Sequence, residues 1–153
     1  MAARGTSEGG SPIETHMPNQ LTTLRGVPLF AGLDDEVLRR VLDVAVERVV
    51  PAGEVLTRAS EEGASMFLIL EGTVVIENPG RDPIELGPGE FVGELALLIP
   101  EAIRSAWVRA RTDLHCLEIS GDDFQRLLED EPRIALTMLP LLARRFWRYL
   151  RGA

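Results

Sequence analysis

The run Phe91-Val92-Gly93-Glu94-Leu95-Ala96-Leu97-Leu98, followed after five residues by Arg104-Ser105-Ala106-Trp107-Val108-Arg109-Ala110, interrupts an otherwise β-type sequence. Gly93 to Leu98 holds good helix formers, and the pattern predicts a single helical turn there. A glycine leading into a short helix exposes amide donors at the positive end, which suits an anion. Arg104 can return on the next strand with its guanidinium beside that seat, and Ser105 adds a hydroxyl donor. Glu94 is an odd companion for an anion; it fits if it accepts from neighbouring hydroxyls, such as those of a ribose. The same residues fit equally well as a structural Glu94–Arg104 ion pair with Gly93 as a turn glycine.

Outward from this run, short β-rich stretches occur at Glu54–Thr57, Met66–Glu71, Thr73–Glu77, Ala106–Arg111 and His115–Ile119. Glycines punctuate them at 53, 63, 72, 80, 87 and 89, where each can supply a positive φ. The spacing predicts a compact antiparallel sandwich or barrel over about 49–119. Before it, Val37, Leu38, Val41, Leu42 and Ala45 recur at helical spacing, which predicts a helix from Asp34 to about Val49. Asp34 is its N-cap, and Leu33 with Leu38 form a hydrophobic staple. Residues 1–20, rich in Gly, Ser, Thr and Pro, read as a disordered lead, and the folded domain as 21–153.

After the β region, Ser120 with Asp123 resembles a capping box and opens a helix around Asp122–Glu129. Pro132 then starts a longer helix reaching about Arg151. Its apolar stripe is Ala135, Leu139, Leu142, Phe146 and Leu150, widened by Ile134, Met138 and Leu141. Pro140 should bend it. So broad an apolar face needs cover, and Phe146 and Trp147 fit core, lid or dimer interface, of which the interface is preferred. Five arginines and one glutamate in 131–153 make this end +4, leaving −12 for the rest. Arginines near a helix C-terminus favour its dipole; an anion or partner patch is the alternative.

Composition narrows the function. The 153 residues carry 16 basic groups, all arginine, against 24 acidic ones, a net charge of −8. Phosphate backbones and anionic membranes would be repelled outside any local patch. One cysteine, Cys116, and two histidines, His16 and His115, exclude an internal disulfide, a four-cysteine zinc site and a histidine-rich metal centre. Cys116 reads as a small buried hydrophobe and His115 as a strand residue. Neither a nucleophile–base pair nor a triphosphate-binding loop is visible, so no catalysis and no cofactor is expected. The absence of a membrane-length apolar run and of a signal peptide makes the cytoplasm the default.

The Phe91–Leu98 and Arg104–Ala110 runs resemble the phosphate-binding cassette of the cyclic nucleotide-binding domain family, closest to the effector domain of catabolite activator (CRP/FNR-type) bacterial regulators. The likeness covers Leu24–Leu150. Val27-Pro28-Leu29-Phe30-Ala31-Gly32-Leu33 resembles the family's lead into its first helix. Pro51–Leu56, Met66–Val74 and Leu86–Phe91 resemble its β-roll. The resemblance implies a mainly β fold with flanking helices: a double-stranded, jelly-roll-like β-helix with an N-terminal helix, a cassette helix and C-terminal helices.

It further implies that Arg104 pairs with the cyclic phosphate and that Glu94 accepts from the ribose 2′-hydroxyl. Gly93, Leu95 and Ala96 would lie against the sugar-phosphate, Ser105 would bond the phosphate, and Phe91 and Ala106 would flank them. Tyr149 occupies a place where relatives contact the purine with hydroxyl residues. The implied ligand is a cyclic nucleotide, cyclic AMP before cyclic GMP. A homodimer through the C-terminal helix and a downstream protein partner are expected. So is a free-standing sensor, or the effector half of a regulator: relatives continue into a helix-turn-helix where this chain stops at Ala153, and nothing in residues 1–153 supplies a recognition helix, so this chain alone is not expected to read DNA.

Overall fold

Ser65 to Glu71 has no polar face over its middle, because both of its faces are covered. The computed structural model describes residues 20–57, 65–78, 80–93 and 107–151. A helical segment (20–25) and a 3-10 turn (Pro28–Phe30) lead into helix α1 (Asp35–Val44). Strands follow at β1 (Val46–Val50), β2 (Val55–Thr57), β3 (Ser65–Glu71), β4 (Val74–Glu77), β5 (Ile84–Leu86), β6 (Phe91–Val92), β7 (Trp107–Ala110) and β8 (Leu114–Ser120). Helices α2 (Gly121–Asp130) and α3 (Pro132–Leu150) close the order. The strands form two antiparallel sheets, β1-β8-β3-β6 and β2-β7-β4-β5. This is the expected jelly-roll-like architecture with flanking helices.

Alternation along β3 and β8 builds two cores on one sheet. Met66, Leu68, Leu117 and Ile119 face the helices, together with Leu38, Val41, Phe124, Ile134 and Met138. Phe67, Ile69, Leu114 and Cys116 face the second sheet, together with Val74, Leu86, Val108 and Ala110. The first sheet is therefore the middle layer, and its two central strands are apolar on both sides.

The structure shortens the first helix. It stops at Val44, Ala45 is extended, and Val46–Val50 pairs with β8 from Val46↔Glu118 to Val50↔Leu114. Apolar spacing fits a helix through this stretch, but β-branched valines beside an open strand edge win by sheet pairing. The Asp34 cap is present, accepting from the Val37 amide at 3.1 Å, and Leu33 and Leu38 share one buried cluster. Gly87 does not have the positive φ its place suggested, whereas Gly53, Gly72, Gly80 and Gly89 do. Gly63 and the disordered reading of 1–19 fall outside the described residues.

The C-terminal caps are as read. Ser120 accepts from the Asp123 amide at 3.2 Å and α2 begins at Gly121; α3 begins at Pro132 and runs through Pro140 as one helix. What differs is which face of α3 is covered. Ile134 and Met138 are buried and Leu141 and Leu142 are partly packed, while Leu136, Leu139, Phe146, Trp147 and Leu150 are each between 58% and 65% exposed. The supposed flank meets the body, and most of the stripe faces away. At 100° per residue the two sets lie on opposite sides of the helix.

Cys116 is wholly buried, and burial pushes its thiol up to about 11; nearby Arg48 opposes this and Glu118 adds to it. The thiol stays protonated in the folded chain where the unfolded chain ionises. Its contribution to stability is therefore full below about pH 9 and is lost as pH rises towards 11, by up to about 3 kcal/mol at ~1.4 kcal/mol per pH unit. Urea titrations at pH 8 and pH 10.5 should show this loss in the wild type and a smaller one in Cys116→Ala. Equal slopes in the two proteins would overturn the assignment.

Candidate functional site

The segment carrying the predicted anion seat is held at both ends by strands of different sheets. Its near shoulder is β6, which pairs with β3 through Phe67↔Val92 and Leu68↔Phe91. The approach to β6 is tied down residue by residue. The Gly89 amide donates to the Ile69 carbonyl (2.8 Å), the Ile69 amide to the Glu90 carbonyl (2.9 Å), and the Gly87 amide to Glu90 Oε2 (3.0 Å). Immediately after β6, Gly93 has φ +93°, a turn that a side chain would resist. The far shoulder is Trp107, which opens β7 opposite Glu77 in the second sheet. Residues 94–106 thus connect an edge strand of the middle layer to an inner strand of the outer layer.

Of the residues singled out in the sequence, Phe91 and Gly93 are placed at that near shoulder. Glu94, Leu95, Ala96, Arg104, Ser105 and Ala106, with the predicted helical turn, lie outside the described residues. Tyr149 belongs to α3, and its side chain also lies outside them. The Phe91 side chain is 2% exposed and sits in the helix-facing core.

What the sequence did not disclose is the link from this shoulder to α3. Arg145 Nη2 donates to the Phe91 carbonyl at 2.7 Å, and its guanidinium lies 4.7 Å from the centre of the Phe91 ring. Both contacts are favourable: the first is charge-assisted, the second places a cation on an aromatic face. Three residues on, Arg148 Nη2 lies 3.5 Å from Glu90 Oε1. Arginines read as helix-dipole partners, or as an anion or partner patch, therefore reach β6 and the residue before it. No local pattern signals a contact spanning more than fifty residues.

Other polar groups nearby have structural partners. Arg109 on β7 bonds the Gly53 carbonyl (3.2 Å), in the turn before β2, and Glu77 of β4 (3.4 Å). His115 Nε2 pairs with the Glu47 carboxylate, and Nδ1 lies 4.0 Å from Glu71. Among the described residues, no group of three or more His, Cys, Asp or Glu could hold a metal ion. No helix among them is long and apolar enough to cross a membrane.

Comparison with known proteins adds to this geometry. The family model for the cyclic nucleotide-binding domain matches residues 47–131. A cyclic nucleotide-gated potassium channel of Mesorhizobium japonicum is 44% identical over 109 residues, covering 71% of this chain and 30% of the channel. The crystal structure of the Thermus thermophilus catabolite activator protein superposes with a TM-score of 0.68 at 31% identity, covering 80% of this chain and 59% of that one. A structure described under a cyclic-GMP-dependent signalling pathway in bacterial phytopathogenesis superposes with a TM-score of 0.61 at 31% identity, covering 79% and 97%. The chain spans only about a fifth to a third of the length of the first curated relatives it matches.

Proposed function

The chain belongs to the cyclic nucleotide-binding domain family, and from that premise we propose that it is a non-catalytic sensor module binding a cyclic nucleotide, cyclic AMP in preference to cyclic GMP. The observation that carries this reading is the position of Gly93: a positive-φ turn at the end of β6, opening a segment that spans the two sheets and bears both Glu94 and Arg104. In this reading Arg104 neutralises the cyclic phosphate, with the Ser105 hydroxyl and the amides of Gly93, Leu95 and Ala96 completing its donors. Glu94 accepts from the ribose 2′-hydroxyl. Ala106 flanks the sugar-phosphate, Phe91 serves the site through its backbone with its ring buried in the core, and Tyr149 contacts the purine.

Arg104→Ala should weaken cyclic AMP binding by about 1.5–3 kcal/mol, roughly 10- to 150-fold, the scale of a lost charged hydrogen bond. Calorimetry with cyclic AMP and cyclic GMP on both proteins checks the ligand and the residue together. Unchanged affinity in the variant would remove Arg104 from the phosphate, and tighter binding of cyclic GMP would reverse the ligand order.

The nucleotide signal leaves through α3 and acts on a downstream protein partner in the cytoplasm; this chain alone engages neither nucleic acid nor membrane. α3 also supports a homodimer. Leu136, Leu139, Ala143, Phe146 and Leu150 follow one another at alternating spacings of three and four, the seam of a two-stranded coil. Arg144, Arg145, Arg148 and Arg151 all fall off that seam and off its two flanks, so a parallel second copy meets no facing guanidinium there. This seam also favours the second reading, the effector half of a CRP/FNR-type transcription regulator whose helix-turn-helix lies outside this chain. Light scattering should give twice the chain mass for the wild type and a single chain mass for the double variant Leu139→Arg, Phe146→Arg. A wild type that stays monomeric at high micromolar concentration would overturn the dimer.

A further inference from the structure

The inner face of α3 changes chemistry along its length. Its first half presents Ile134 and Met138, buried against the helix-facing core. About two and three turns beyond Met138 the same face presents Arg145 and Arg148, and these meet Phe91 and Glu90. Glu90 is shared: Oε2 accepts from the Gly87 amide while Oε1 faces Arg148. Phe91 is shared too: its backbone pairs with Leu68, its carbonyl takes Arg145, and its ring carries the guanidinium. Two residues beyond stands Gly93.

We propose that Arg145, seconded by Arg148, is a positioning residue that straps α3 to the strand delivering Gly93, so that nucleotide occupancy and the position of α3 form one equilibrium. The inference rests on the sensor reading above and gives its signal a physical route. A displacement of β6 by ligand must either carry α3 with it or break a charge-assisted hydrogen bond and a cation–ring contact in one step. The Arg148–Glu90 pair is longer and half-exposed, and contributes less. A ligand that favours one placement of β6 thereby favours one placement of α3, and the coupling is reciprocal.

Hydrogen exchange on the full chain, with cyclic AMP as the probe, tests this in two arms. Without nucleotide, Arg145→Met, which keeps the stem and removes the donor, should speed exchange of the amides in β6 and in the last two turns of α3 by tenfold or more. Exchange in β8 should stay as in the wild type, and Arg145→Lys, which retains a cation, should recover at least half the protection. Unaltered exchange in the Met variant, or equal loosening in β8, would overturn the strap. At saturating cyclic AMP, the change in α3 exchange seen in the wild type should shrink at least threefold in the Met variant while calorimetry still reports binding. A full α3 response in that variant would overturn the coupling. Abolished binding would overturn it as well, since Arg145 would then belong to the nucleotide contact itself. If the wild type binds no cyclic nucleotide, the sensor reading falls, and the nucleotide-free arm alone decides the strap.

Discussion

Gly72→Ala should cost about 3 kcal/mol or more of folding stability, measured as a lower urea midpoint at unchanged slope. Two effects add at this position. Gly72 has φ +91°, a left-handed conformation that costs an L side chain roughly 1–2 kcal/mol. A Cβ there would also stand 2.2 Å from the Asp113 carbonyl oxygen, 2.9 Å from Thr112 Oγ1 and 3.1 Å from Leu114 Cα. Two of those three are backbone, so the turn between β7 and β8 must move as a unit. That turn is committed elsewhere: Asp113 Oδ1 accepts from the Ala52 amide at 2.9 Å, and Thr112 Oγ1 accepts from the Thr73 amide at 3.0 Å. Overpacking of this kind adds about 1–3 kcal/mol. Gly32→Ala is the matched control. Its φ is +82° and nothing lies within 4 Å of its Cβ position, so it should lose only the conformational part. Equal losses at Gly72 and Gly32 would show that the close approach to Asp113 carries no energy.

Phe124→Ala should be at least as damaging, at about 3–5 kcal/mol, the usual cost of emptying an aromatic site in a core. Phe124 is 1% exposed and packs in the cluster holding Leu117, Ile119, Ile134 and Met138. It is the anchor by which α2 grips the middle sheet, and α3 is joined to α2 by the single non-helical residue Glu131. The loss should therefore appear first as faster exchange in α3 and then as a lowered global midpoint. Phe124→Leu refills much of the volume and should cost well under half as much. A Phe124→Ala loss below about 1.5 kcal/mol would mean that α2 and α3 collapse to fill the void. Since domains of this size hold roughly 5–15 kcal/mol in all, either substitution removes a large share of the reserve.

How far the sequence was legible follows from the range of the forces involved. The Asp34 and Ser120 caps, the start of α3 at Pro132, and five of the eight described strands were readable within a few residues, because capping, ring geometry and side-chain alternation act locally. Val46–Val50 was not, because its residues satisfy helical and strand spacing alike, and the choice was made by β8, some seventy residues away. Ile84–Leu86 and Phe91–Val92 were too short to show a period, and exist as strands through Val74↔Leu86 and Leu68↔Phe91.

For the site, the order Gly93, Glu94, Arg104, Ser105 raised an anion seat beside a structural ion pair, and it was the further runs Val27–Leu33, Pro51–Leu56, Met66–Val74 and Leu86–Phe91 that joined it to the family. The hydrophobic pattern of α3 declared an amphipathic helix but not which side is inward, since apolar residues nearly encircle it. Only packing against the middle sheet chose Ile134 and Met138 for the core and turned Leu139, Phe146 and Leu150 outward. That choice also brought Arg145 onto Phe91. Local chemistry wrote the elements and the candidate binding residues; burial and long-range pairing, which no window of sequence contains, decided the faces, the edges and the contact of Arg145 with Phe91.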